Sequence, residues 1–135
     1  SDPSDYSRIN MTDGPDAITQ KIKKAKTDPY PLPDSLHELD KRPEAQNLIT
    51  IFAALSQRSE ESVVSEFAGR GFGDFKKCLA EVAVEIMGPI GKEMQRLMNY
   101  PDEVDSVLNH GANKAREIAK PIVSEAKEIV GFLKP

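Results

Sequence analysis

The stretch 74-DFKKCLAEVAVEIMGPIGKEMQRLMNY-100 decides the fold of this 135-residue chain. Its apolar residues recur mostly every three or four positions, which places them on one face of an α-helix. Charged residues occupy the positions between them, so the opposite face can remain in water. The predicted apolar face contains Phe75, Leu79, Val82, Ala83, Ile86, Ile90, Met94, Leu97 and Met98. The stretch therefore predicts one long amphipathic helix at the centre of a helical core.

The dipeptide Gly88-Pro89 interrupts this helix. Proline has no N–H to donate to the carbonyl of Glu85, and its ring crowds the preceding turn. A proline inside a helix costs about 3 kcal/mol relative to alanine. We therefore expect a bend at this point, compensated by other helices that pack along the long one.

The segments on either side also show helical patterns and start or stop signals. Thr12 or Asp13 is the expected N-cap of a helix from Pro15 to Lys26, and Pro43 is expected to open a second, strongly apolar helix. Between them, prolines at 29, 31 and 33 predict a stiff, extended connector with a short helical turn over residues 35–39.

Further along the chain, three more helices are predicted. Ser59 caps a short helix that ends at Gly69, and Gly111 ends another that begins after Tyr100. The last helix carries a seam of small and apolar residues, expected to pack on the long helix, at positions 112, 115, 119, 122, 126 and 129. No segment alternates like a strand, so the fold class is all-α, a bundle of about six helices around one long Pro-kinked helix.

Composition narrows the possible functions. The net charge is −4, which argues against binding nucleic acid over the whole surface but leaves room for a local basic patch. No apolar run approaches the length of a membrane span, and the first residues lack the pattern of a secretory signal. We therefore expect a soluble domain without membrane contact, and the cytoplasm as its location.

The sequence predicts no catalytic residue, disulfide or metal site in this chain. Cys78 is the single cysteine, and His37 and His110 lie far apart without ligand spacing, so we predict no disulfide and no metal site. No carboxylate pair or nucleophile-base spacing predicts a catalytic residue. Lysines 21, 23, 24 and 26 concentrate positive charge at one helix end, where a solvated face is favoured over a phosphate contact.

Several motifs, taken in order, resemble the carboxy-terminal part of bacterial tryptophanyl-tRNA synthetase. They cover essentially the whole chain, and they are SDPSD, SRIN, DAITQKIKKAKTD, RPEAQNLITIFAALS, GFGDFKKCLAEV, GPI and DSVLNHGANKAREIA. In that family the KMSKS signature loop directly precedes an Asp-Pro pair, so the resemblance implies that Ser1 is at most the last residue of this ATP loop. Residues 1–14 would then be the linker after the loop, and residues 15–135 the C-terminal helical, anticodon-binding domain.

The resemblance also implies what this chain lacks. The Rossmann catalytic domain, the HIGH signature and the loop lysines have no counterpart here. The full-length parent would be a homodimeric, ATP- and Mg²⁺-dependent ligase that activates tryptophan and charges tRNA-Trp. The chain itself would need no cofactor and would contact its own N-terminal catalytic domain and the tRNA anticodon.

Exposed basic residues near a helix start, with a flat side chain close by, are what unpaired bases require. The resemblance places Lys76 next to the anticodon, with Arg70, Asp74 and Lys77 close to it; Lys114 and Arg116 form a second candidate patch. For the second patch, salt bridges to Glu117 or Asp105 are an equally good interpretation. Phe72 stacks on a base or, as favoured, packs into the core. The alternative function is a protein–protein interaction domain that uses the seam of the last helix.

Overall fold

The computed structural model describes residues 4–131, and within this range it contains α-helices, one 3₁₀ helix and no strand. The all-α class predicted from the sequence is confirmed. The 3₁₀ helix spans Asp5–Ser7. The α-helices are α1 (Pro15–Lys24), α2 (Leu36–Leu39), α3 (Pro43–Ser56), α4 (Glu60–Phe67), α5 (Phe72–Asn99) and α6 (Pro101–Ile129).

The chain divides into two compact units, residues 1–94 and residues 95–135. The first unit contains the buried side chains of the described chain, contributed by α1 to α4, the first half of α5, and Leu32 and Pro33 of the connector. At its centre the rings of Phe52, Phe67 and Phe75 contact one another, with centroids 5.0 to 5.5 Å apart. Each pair lies in the separation range that aromatic rings prefer.

Local signals explain both ends of α4. Ser59 caps α4 by accepting a hydrogen bond from the N–H of Ser62, and Gly69 follows that helix with a left-handed φ of 72°, both as predicted. The predicted cap of α1 is wrong. Gly14 is the N-cap, because the carboxylate of Asp13 is engaged by the N–H of Asn10 and by Lys21 instead.

The long helix α5 starts at Phe72 and continues through Pro89. The first half of its predicted apolar face is buried, since Phe75, Leu79 and Ala83 are fully inaccessible. The second half is not: Ile86 and Ile90 are 44% and 42% exposed. The prediction of a continuous buried face is therefore wrong beyond the middle of the helix.

The second unit consists of the end of α5 and the whole of α6. α6 runs through both Gly111 and Pro121, so the predicted helix end at Gly111 is wrong; one interior glycine costs only about 1 kcal/mol. None of the residues of α6 is buried within the described chain, and the seam is exposed from Ala115 onwards. Packing of the seam on the long helix stays a prediction. Arg96 and Glu103 form a bidentate pair across the turn at Tyr100, with N–O distances of 2.7 and 2.9 Å.

No helix within residues 4–131 combines the length and the apolar character that crossing a membrane requires.

Candidate nucleic-acid interface

Lys76, the leading candidate from the sequence, holds the end of α1. Its ammonium donates to the carbonyls of Ala25 at 2.6 Å and Lys23 at 3.4 Å, and to the hydroxyl of Thr27 at 3.3 Å. The last carbonyls of a helix lack partners within it, and a cation there also complements the helix dipole. Partial burial lowers the pKa of Lys76. The side chain is half-buried, and its ammonium is hydrogen-bonded to acceptors of the same chain.

Two neighbours of Lys76 point to water. Asp74 and Lys77 are both exposed in the first turns of α5, and within residues 4–131 no hydrogen bond or ion pair involves either side chain. Their charged groups are therefore available to a ligand. An exposed ammonium is chemically suited to pair with a phosphate, and an exposed carboxylate is suited to accept a hydrogen bond from a base.

Arg70 lies on the short segment between α4 and α5. Its side chain is exposed and its guanidinium lies 5.4 Å from the centre of the Phe67 ring. The main chain here is paired with the proline connector: the N–H of Leu32 donates to the carbonyl of Arg70, and the N–H of Gly69 donates to the carbonyl of Leu32, each at 2.9 Å. Arg70 is thus fixed beside the connector.

Arg42 holds the connector in place through its guanidinium. The guanidinium donates to both carboxylate oxygens of Asp28 at 2.6 and 2.9 Å, and to the carbonyls of Tyr30 at 3.3 Å and Pro31 at 2.8 Å. Hydrogen bonding from Arg42 lowers the pKa of Asp28. We call the contact between Arg42, Asp28 and these two carbonyls the connector clasp. It ties residues 28–31 to the start of α3.

A groove of about 660 Å³ runs along this connector and the end of α4. Tyr30 is 68% exposed at this groove. Phe72 is 9% exposed and lies 5.8 Å beneath the guanidinium of Arg42, so its expected packing role is confirmed and the ring is not open to a base. The groove is lined by Tyr30, Pro31, Leu32, Pro33, Asp34, Glu38, Arg42, Ala68 and Gly69.

Lys114 and Arg116 lie on α6, in the second unit, and both are exposed. The guanidinium of Arg116 donates to the side-chain oxygen of Asn113 at 3.1 Å. Among the described residues, the expected ion pairs with Glu117 or Asp105 do not form. This patch therefore remains a predicted site with its charges in water.

The lysines at the end of α1 have separate roles. Lys21 is only 6% exposed and its ammonium pairs with Asp13 at 2.6 Å and Asp5 at 2.9 Å, so the solvated interpretation is wrong for this residue. These pairs raise the pKa of Lys21 and lower those of the two aspartates. Lys24 lies 4.1 Å over the Tyr6 ring. The segment before α1 is thus tied to the helix, while Ser1 lies outside the described residues.

Within residues 4–131, no group of three His, Cys, Asp or Glu side chains is arranged to hold a metal ion.

Two features of this surface were missed from the sequence. The connector clasp joins residues far apart in the chain, and no local pattern indicates it. The exposure of Tyr30 had no signal in the sequence either, because Leu32 also lies between two prolines, Pro31 and Pro33, and is buried.

No family model matches this chain. It is 53% identical over 132 residues to the tryptophan–tRNA ligase of Caulobacter vibrioides, 48% identical over 134 residues to that of Agrobacterium fabrum, and 41% identical over 133 residues to that of Rickettsia conorii. These alignments cover 98% or 99% of this chain. The chain belongs to the tryptophan–tRNA ligase family. It spans 38% to 40% of the length of these curated relatives, so it corresponds to one part of such a ligase.

Proposed function

We propose that this chain is the helical part of a tryptophan–tRNA ligase that follows the catalytic fold and recognises the anticodon region of tRNA-Trp. The observation that carries the proposal is similarity to these ligases over nearly the whole chain. In this proposal residues 1–14 are the linker after the KMSKS loop, and residues 15–135 are the anticodon-binding domain.

The chemistry would belong to the remainder of the ligase. There, in a homodimeric cytoplasmic enzyme, ATP and Mg²⁺ would activate tryptophan as its adenylate with release of pyrophosphate, and the tryptophanyl group would pass to tRNA-Trp with release of AMP. This chain would contribute binding and orientation, since positioning and electrostatic stabilisation dominate catalysis of this kind. We expect no aminoacylation by residues 1–135 alone.

Within the proposed interface the exposed cations have the clearest role. Arg70 and Lys77 would neutralise phosphates of the anticodon loop, and Asp74 would accept a hydrogen bond from a base. Lys76 would act as a positioning residue, because its ammonium fixes the start of α5 to the end of α1. Lys114 and Arg116 would form a second phosphate contact on α6.

The test is binding of this chain to the anticodon stem-loop of tRNA-Trp, measured by fluorescence anisotropy over a range of salt concentrations. Lys77→Ala and Arg70→Ala should each weaken binding and flatten the dependence of log Kd on log salt by about one phosphate contact. Lys92→Ala is the matched control: Lys92 is also exposed on α5, about 22 Å further along at about 1.5 Å per residue. It should leave affinity and slope unchanged.

The variant Lys76→Ala needs a separate measurement. It should weaken binding together with a lowered unfolding midpoint, because the carbonyls of Lys23 and Ala25 lose their donor. Equal affinity of the wild-type chain for an unrelated stem-loop of the same length would contradict the proposed function. Unchanged salt slopes in both Lys77→Ala and Arg70→Ala would instead move the interface elsewhere.

A protein contact is the second candidate function, favoured by the exposed apolar side chains of α6. Val107, Leu108, Ile118, Ile122 and Ile129 are each at least 63% exposed. Isolated apolar residues on a surface are ordinary, but a series along one helix marks a contact site. We propose that the remainder of the same ligase covers them. Amide hydrogen exchange of α6 should slow in the full-length ligase relative to this chain; equal exchange would contradict this contact.

A further inference from the structure

We propose that Tyr30 is the stacking platform for an unpaired base of the bound RNA, in the groove between the proline connector and the end of α4. This inference rests on the proposed function and identifies the part of the RNA that this groove would take. It adds to the sequence-derived candidates a residue that carries no charge.

The first argument is exposure combined with a fixed backbone. Tyr30 is 68% exposed, yet its N–H donates to a carboxylate oxygen of Asp28 at 3.0 Å and its carbonyl accepts from Arg42. Pro29 and Pro31 restrict the backbone on both sides. A stacking site needs a ring that is open to the ligand and whose main chain loses little entropy on binding. Tyr30 meets both conditions.

The second argument is the shape of the site. The groove measures about 660 Å³, and Gly69 forms part of its wall without a side chain. Leu32 at its floor is buried and is paired through its main chain with Gly69 and Arg70. The groove therefore has fixed main chain in its wall, and Arg70, a proposed phosphate contact, follows the lining residue Gly69 and accepts a main-chain hydrogen bond from the lining residue Leu32. A nucleotide whose phosphate meets Arg70 would have its base within reach of the connector.

The third argument concerns charge. Asp34 and Glu38 are exposed at the same groove, and carboxylates repel phosphate groups while accepting hydrogen bonds from the amino groups of bases. The guanidinium of Arg42, which could otherwise attract a phosphate, is occupied by Asp28 and two carbonyls. The groove consequently fits a base better than the sugar-phosphate backbone.

The test uses the whole chain and the anticodon stem-loop of tRNA-Trp, with 2-aminopurine placed at each loop position in turn. Tyr30→Ala should weaken binding about 5- to 150-fold, the range found for loss of one base–aromatic stack, with the salt slope unchanged. Tyr30→Phe, which keeps the ring, should bind within about 2-fold of wild type. One 2-aminopurine should lose fluorescence on binding to wild type and recover it with Tyr30→Ala.

Tyr100→Ala is the matched control, because Tyr100 is 61% exposed and belongs to the other unit; it should bind as wild type. Unfolding midpoints should be equal for Tyr30→Ala and Tyr30→Phe, which separates stacking from folding. Wild-type affinity in Tyr30→Ala would overturn this inference alone, as would equal losses in Tyr30→Ala and Tyr30→Phe. Failure of the wild-type chain to prefer this stem-loop would overturn both the inference and the proposed function.

Discussion

Gly91 is buried on α5 against the main chain of the segment before α1. A Cβ at this position would lie 2.7 Å from the carbonyl oxygen of Met11, closer than such atoms approach. The neighbouring group is backbone, and the turn that carries it is held by Asp13, whose carboxylate pairs with Lys21. A shift of this turn away from α5 would break the contacts of the Asp13 carboxylate with Asn10 and Lys21. The residue therefore fixes how closely residues 10–13 approach α5.

Gly91→Ala is expected to lower the free energy of unfolding by about 1–3 kcal/mol, the usual cost of overpacking. Urea unfolding followed by circular dichroism measures it. Gly73→Ala is the control, since Gly73 lies on the same helix with nothing within 4 Å of an added Cβ; it should change stability by less than about 1 kcal/mol, in the favourable direction. A Gly91→Ala protein as stable as Gly73→Ala would show that residues 10–13 do not hold this position in solution.

Single residues also show where reading the sequence reaches its limit. The basic character of Lys21 and Lys76 was evident, but their roles depend on partners distant in the chain. Lys21 reaches back to Asp5 and Asp13, and Lys76 reaches the end of α1. A lysine whose partners come from other elements looks the same in sequence as a lysine in water.

At the scale of one helix, α5 tests how far periodicity predicts burial. Leu79 and Ile86 belong to the same apolar stripe in the sequence, yet Leu79 is fully buried and Ile86 is 44% exposed. Periodicity identifies the face of a helix, but the length of that face that is covered depends on where its neighbours end. The sequence alone therefore predicted the helix and its face, and overestimated the buried length.

The two halves of α5 should respond differently to truncation of a side chain. Leu79→Ala should destabilise the protein by about 2–5 kcal/mol, as in other buried leucines. Ile86→Ala should cost less than about 1 kcal/mol, because an exposed side chain loses little burial and alanine is the better helix former. Urea unfolding of the two variants under one set of conditions measures the two losses of stability. Equal losses would mean that Ile86 is covered in solution.

The connector clasp should make stability depend on pH in the acid range. Arg42 lowers the pKa of Asp28 below its usual 3.8, so the folded state favours the charged carboxylate more than the unfolded chain does. The contribution is complete above about pH 4 and is lost as the pH falls through the lowered value. Asp28→Asn should therefore be less stable than the wild type at pH 7, and the difference should shrink as the pH is lowered from about 4 towards 2.

Urea midpoints measured between these pH values check this dependence. Asp34→Asn serves as the control, because Asp34 is exposed and has no ion pair within the described chain; its profile should run parallel to that of the wild type. A constant difference between Asp28→Asn and wild type at every pH would mean that the aspartate stabilises the connector by some means other than its charge.

At the scale of the whole chain, the fold class, the helix-forming segments and the family were all accessible from the sequence. The continuity of α6 was not. Gly111 and Pro121 are helix-ending signals, but a single glycine or proline changes stability by only about 1 to 3 kcal/mol, and a long helix can absorb such a cost. Packing of the seam stays a prediction for another reason: a small-residue stripe indicates that a helix can pack closely, without indicating its partner.

The distribution of buried residues along the chain leads to a prediction about its two units. Every buried side chain of the described residues precedes Met94, and α6 has none. Stability comes mainly from buried apolar area, so the first unit should fold without α6. A chain cut after Asn99 should have a free energy of unfolding in urea within about 1 kcal/mol of that of the full chain. Its helical circular dichroism signal should fall in proportion to the residues of α6 that are removed. In the cut chain, Tyr30→Ala should also reduce RNA affinity as it does in the full chain, because the groove beside Tyr30 lies wholly in the first unit. A cut chain that fails to fold would show that α6 contributes to the core in solution, and the exposed face of α6 would then belong to this chain's own folding.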